Sequence, residues 1–117
     1  MPYRRILEAL LGRIPGARTA LLLDVQGEVV VGAGDLGERQ RLIGAYQGIA
    51  LGMLSRAAQR VGGGEVKALV SRHAGGSVVL ATLKDGYYLV ISLGPEALTA
   101  VAARQCEAAR EKLNQEI

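Results

Sequence analysis

The sequence predicts an α/β (α+β) three-layer sandwich, ordered helix-strand-strand-helix-strand-strand-strand-helix around a five-stranded, mainly antiparallel sheet. Three observations carry this. Apolar residues recur at helical spacing from Tyr3 to Ile14, from Glu38 to Val61 and after Gly94. Between those segments lie five short runs rich in Val, Ile and Leu, bounded by Gly, Asp or Pro. The strand-to-strand links are short except for one, which is the long helix. Neighbouring strands therefore run antiparallel, and that helix crosses the sheet. Two helices are expected on one face and the long second helix on the other, in a single domain over residues 1–117.

Each element has its own signals. Ile6, Leu7, Leu10, Leu11 and Ile14 share one helical face, and Pro15-Gly16 stops that helix. Thr19–Leu23 and Glu28–Val31 flank Asp24-Val25-Gln26-Gly27, with Asp opening the turn and Gly closing it. The long helix ends at Gly62-Gly63-Gly64. Glu65–Arg72 alternates, with Val66, Ala68 and Val70 on one face and Lys67, Leu69 and Ser71 on the other. Ser77–Leu83 and Tyr87–Leu93 are almost continuously apolar, as central strands are, and Asp85-Gly86 joins them in a type I′ turn. Gly94-Pro95-Glu96 is read as the opening of the last helix, with Pro at its first position. The buried face of that helix is expected to carry Leu98, Val101, Ala102, Cys106, Ala109 and Leu113.

Composition removes several function classes. Half of the 117 residues are apolar, yet there is no Trp or Phe, so the core is aliphatic. The net charge of +3 comes from scattered arginines, with Arg4-Arg5 the one adjacent pair and no aromatics among them. A nucleic-acid surface needs a basic stripe and stacking rings, and neither is present. No stretch is long and uncharged enough for a membrane span, and Glu8 interrupts the only run resembling a signal peptide. The lone Cys106 cannot form an internal disulfide, which fits a cytoplasmic protein.

Gly44, Gly48 and Gly52 recur every fourth residue inside the long helix, where each costs about 1 kcal/mol against alanine. Bare backbone at that spacing permits close approach, either of a partner helix or of the chain's own sheet. The breadth of the apolar stripe around them (Leu42, Ile43, Tyr46, Ile49, Ala50, Met53, Leu54, Ala57, Ala58 and Val61) favours the partner. The alternating third strand has the pattern of a sheet edge, whose unpaired N–H and C=O groups can join a second copy. Gly44, Gly48, Gly52, Val66, Ala68 and Val70 are therefore the candidate dimer contacts.

This order of elements resembles the roadblock/dynein light chain family over essentially the whole chain. The likeness rests on the Ile14-Pro15-Gly16-Ala17 bend, the Leu21-Leu22-Leu23-Asp24-x-x-Gly27 hairpin, the glycine-bearing second helix and the Asp85-Gly86 hairpin before a closing helix. The resemblance implies a non-enzymatic, cytoplasmic partner protein of the prokaryotic type that regulates Ras-like small GTPases. It also implies dimers joined edge to edge through the third strand, with the second helices paired across the joint. Activation by an inserted arginine would draw on Arg56, Arg60 or Arg72, which are partner-binding candidates by position alone; as ordinary surface charges they need no such role. A small-ligand sensory domain and a structural subunit of a motor or filament are the alternatives.

No catalytic, cofactor or metal site is expected. Gly32-Ala33-Gly34-Asp35-Leu36-Gly37 matches G-x-G-x-x-G, but the strand before it belongs to a hairpin and Asp35 sits where pyrophosphate would lie. His73, the one histidine, lies beside a turn with no Cys pair to complete a zinc set. Cys106 falls on an apolar helix face, and Asp24 and Asp85 are explained by their turns.

Overall fold

The computed structural model describes residues 2–117. The elements are α1 (Pro2–Gly12), β1 (Ala17–Leu23), β2 (Val29–Gly34), α2 (Glu38–Arg60), β3 (Ala68–His73), β4 (Gly76–Thr82), β5 (Tyr88–Leu93) and α3 (Thr99–Glu116), with a short 3₁₀ turn at Lys84–Gly86. The sheet order is β2-β1-β5-β4-β3, and every neighbouring pair is antiparallel. The crossover helix α2 carries the chain from one edge of the sheet to the other. It therefore creates no parallel pair.

Turn chemistry sets the registers. The Asp24 carboxylate accepts the Gln26 and Glu28 amides at 2.9 and 3.0 Å, closing the β1–β2 hairpin. Asp85 adopts φ 59°, ψ 32° and Gly86 φ 80°, the pair of left-handed residues that a type I′ turn requires. The Tyr87 amide then donates to the Lys84 carbonyl at 3.2 Å.

The sheet has two unlike faces. On one, Leu7, Leu10 and Ile14 from α1 and the segment after it meet Ala102, Cys106, Ala109 and Leu113 of α3 over Ala20, Leu22, Val79, Leu89 and Ile91. Burying each of these Leu or Ile side chains contributes roughly 1.5–3 kcal/mol. The end of α3 is pinned: the Tyr3 hydroxyl donates to the Glu116 carbonyl at 2.6 Å and the Lys84 amide to Asn114 Oδ1 at 2.8 Å. On the other face, Leu21, Leu23, Val78, Leu80, Tyr88 and Val90 are covered by α2 through Ile43 and Leu51.

Several boundaries differ from the sequence reading: β2 runs on to Gly34 where the sequence predicts an end at Val31, and α3 and β3 both start later. Helix α3 begins at Thr99, and Gly94–Leu98 forms a turn. The Gly94 amide donates to the Gly16 carbonyl at 2.9 Å, so the backbone stays tied to the sheet side until the helix can start. Pro95 consequently precedes the helix by several residues, and Leu98, expected in the buried face, is exposed. Strand β3 starts at Ala68, leaving Glu65–Lys67 in the approach to it. Val66 remains half-buried there, its carbonyl accepting the Thr82 hydroxyl at 2.8 Å.

Candidate partner-binding surface

Helix α2 has 23 residues, yet only Gln40 and Gly44 on it are buried. Its sheet-facing side is Gln40, Ile43, Gly44, Gln47, Gly48 and Leu51. A Cβ on Gly44 would lie 3.1–3.2 Å from methyls of Leu21 and Leu23, and one on Gly48 would press on the Tyr88 phenol, with Cζ at 3.0 Å. These two glycines thus seat the helix on its own sheet, and they leave the set of contacts expected with a partner. Close approach also brings the Tyr88 hydroxyl to the Gly44 carbonyl, to which it donates at 3.4 Å. Burial, and secondarily the Asp24 carboxylate, raise the Tyr88 pKa above its usual value. Gly52 faces open space apart from the Arg56 guanidinium at 3.6 Å.

The broad apolar stripe resolves into two opposite ones. Leu42, Tyr46, Ile49 and Met53 point away from the sheet, with exposures of 49, 66, 61 and 61%. Their spacing of four, three and four is that of a helix-pairing seam. Side chains of this size left in water over three turns form an exposed apolar stripe.

The two sheet edges differ in the same way. At β2, the Arg4 guanidinium donates to the Gly32 carbonyl at 3.1 Å. Gly32 also admits the methyls of Leu36 and Leu21, and Gly34 takes φ +85° against the Arg18 carbonyl. The G-x-G part of the nucleotide-like motif is therefore the end of a strand, and its glycines have packing roles. At β3 the outer side is bare among the described residues. The Lys67 carbonyl accepts the Thr82 amide at 3.0 Å, so the alternation of an antiparallel ladder aims the N–H and C=O of Ala68, Val70 and Arg72 outward. Beside this edge, Gln47 Nε2 donates to Ser71 Oγ at 3.4 Å, while Gln47 Oε1 has no partner among the described residues.

Arg56, Arg60 and Arg72 are all exposed but do not converge. Arg72 adjoins His73, which lines a cavity with Gln40 of the first turn of α2. Arg56 is sixteen residues further along the helix, about 24 Å at the helical rise. Cys106 is buried in the α1/α3 core, and burial followed by the Glu107 charge pushes its thiol up to about 12, an inert state. Among the described residues no group of His, Cys, Asp and Glu is arranged to hold a metal, and no helix is long and apolar enough to cross a membrane.

Sequence reasoning found the apolar positions of α2 but not their division into two faces. The available signal was the ridge itself: Gln40, Gly44 and Gly48 continue one line, and small residues at that spacing mark the side that must come close.

Comparison with solved structures returns the same architecture. The Roadblock/LC7 domain from Streptomyces avermitilis superposes with TM-score 0.86 at 22% identity, covering 96% of this chain and 94% of that one. The gliding protein MglB from Thermus thermophilus gives 0.84 at 19%, covering 95% and 84%. Myxococcus xanthus MglB gives 0.84 at 14%, covering 96% and 91%. A search of curated proteins finds no significant match. The sequence profile of the Roadblock/LC7 domain matches residues 5–93, from α1 through β5, and the chain belongs to that family.

Proposed function

We propose that this chain is a non-catalytic, cytoplasmic adaptor that dimerises through α2 and β3 and regulates a Ras-like small GTPase. The observations that carry the reading are two surfaces left open in one protomer: an outward apolar stripe on α2, Leu42, Tyr46, Ile49 and Met53, and a strand edge at Ala68–Arg72 whose outward N–H and C=O groups are unpaired among the described residues. A twofold axis beside β3 would extend the sheet across two copies and bring the two α2 helices side by side on one face of it. Membership in the Roadblock/LC7 family and the likeness to MglB structures support the GTPase-linked role. Val66, Ala68 and Val70 stay in the proposed joint, Gly52 at its margin, and Gly44 and Gly48 inside the protomer.

Retention from a lysate, with GDP and a GTP analogue in parallel, tests the partner. A small GTPase held preferentially in one nucleotide state is the expected result, and its absence in both states overturns the regulatory role. The separation of Arg72 from Arg56 and Arg60 argues for ordinary surface charges. An Arg56→Ala, Arg60→Ala, Arg72→Ala variant is expected to keep any stimulation of hydrolysis; loss of it by about 10³-fold or more would identify an arginine finger.

A further inference from the structure

Helices α1 and α3 complete the core on one face of the sheet, but their outer sides leave a groove of about 550 Å³ between them. Its floor is Ile6, Ala9 and Leu10 of α1 with Ala109 of α3. The two alanines keep the floor low. Leu10 and Ala109 are buried and Ile6 is half-buried, so the apolar surface is recessed. Arg5 of α1 and Arg13, just beyond its end, stand on one side of the groove, and Lys112 of α3 stands on the other. All three are exposed, and Glu116 is the one carboxylate in the lining.

Charge and relief together select an occupant. Among the described residues the one ion pair is Arg110 with Glu107, so Arg5, Arg13 and Lys112 have no carboxylate in contact. Unpaired cations on both sides of an apolar floor complement an apolar stripe flanked by carboxylates. The walls are helices, whose interior N–H and C=O groups are bonded within each helix. An extended peptide would find no backbone partners there, whereas a helix satisfies its own. Arg5 and Arg13 are eight residues apart, about 12 Å along the axis, a span of roughly two turns of a partner helix. A bilayer does not fit this relief. The exposed residues of the lining are Pro2, Ala9 and polar or charged side chains, which leaves no large apolar group to insert. A second copy presenting the same groove would set cation against cation.

We propose that the α1–α3 groove docks an acidic amphipathic helix of a partner protein. Ile6, Ala9, Leu10 and Ala109 take its apolar stripe, and Arg5, Arg13 and Lys112 pair its flanking carboxylates. The floor supplies affinity, and the exposed rim charges supply orientation and discrimination against basic helices. This face lies across the sheet from α2, so the docking needs neither dimerisation nor a GTPase.

The test is fluorescence anisotropy of the full chain with a labelled helical peptide of about 18 residues, carrying Leu at three-and-four spacing and Glu on both flanks. The same peptide with Lys in place of every Glu is the control. The acidic peptide is expected to bind saturably, and about tenfold or more tightly than its lysine counterpart. Arg5→Glu combined with Arg13→Glu, both at exposed positions, should weaken it about tenfold. Ala9→Glu, which raises and charges the floor from another exposed position, should weaken it too, with circular dichroism unchanged. No saturable binding, equal affinity for the lysine peptide, or unchanged affinity in the double arginine variant would each overturn the proposal. Displacement of the peptide by phosphatidylglycerol vesicles, or a fall in molar mass in Ala9→Glu, would overturn it in favour of a membrane or a second copy. Ile49→Glu separates this outcome from the dimer: peptide binding kept by a monomer leaves the groove standing, and binding lost there moves the site off this face.

Discussion

The two faces of the sheet are built from similar amounts of helix and end in different states. Under α1 and α3, side chains from both helices fill the surface, and Leu7, Leu22, Leu89, Ala102 and Leu113 are fully enclosed. Under α2, a longer helix buries one glutamine and one glycine, and turns its largest apolar side chains outward. The first face is complete within one chain, whereas the second has a lower layer and no upper one. The difference separates residues that hold the fold from residues available for association, although both classes are apolar.

That contrast can be broken most forcefully from the complete side. Leu22→Ala should cost about 2–5 kcal/mol in urea unfolding, because the enclosing layers cannot collapse into the space. An equal loss from Ile49→Ala in a verified monomer would abolish the distinction between the faces.

Gly48→Leu comes next. With the Tyr88 phenol beneath it, the larger side chain should destabilise the protomer by about 1–3 kcal/mol, and Tyr88→Ala in the same chain should recover part of that loss. Normal stability with halved molar mass would instead place Gly48 against a partner.

On the incomplete side, Ile49→Glu and Ala68→Pro should each halve the molar mass measured by light scattering while leaving helical circular dichroism intact. Glutamate places charge in the seam, and proline removes an outward N–H from the edge. An unchanged mass in both would move the interface elsewhere.

The smallest effect belongs to the core thiol. Cys106 ionises near 9 when unfolded and is pushed up to about 12 in the fold, so the folded chain holds the proton more tightly. Stability from this group is full below pH 9 and is lost as pH rises from there toward 12. Unfolding midpoints at pH 8 and pH 10 should differ more for the parent than for Cys106→Ala, and equal differences would contradict the burial of the thiol.

Most of the architecture was legible because local signals and topology agreed. Asp24, Pro15-Gly16 and Asp85-Gly86 mark turns through chemistry contained within a few residues. The apolar β4 and β5 could only be interior strands, and the polar alternation around Lys67–Ser71 marked an edge. The side of the glycine ridge was not legible, since Gly44 and Gly48 look alike to a sheet and to a partner until Leu21, Leu23 and Tyr88 are brought beneath them. The start of α3 was hidden because Pro95 looks like a helix opener, while the Gly94–Gly16 hydrogen bond that delays the helix joins residues far apart in sequence. The α1–α3 groove escaped notice for the same reason: Arg5 and Arg13 line it together with Lys112 only once the two ends of the chain pack side by side.

The strand order has a kinetic consequence. The central strand β5 and its neighbour β1 pair Leu22 with Leu89, residues far apart in the sequence. Closing so long a loop precedes the contacts that reward it, which slows folding relative to a meander of the same size. During synthesis, β1 and β2 can form only a hairpin, and β3 and β4 another, until β5 leaves the ribosome and joins them. Between the emergence of β4 and that of β5 this chain therefore presents two incomplete sheets, each with an inner edge open to mispairing, and the last strand to emerge closes both at once.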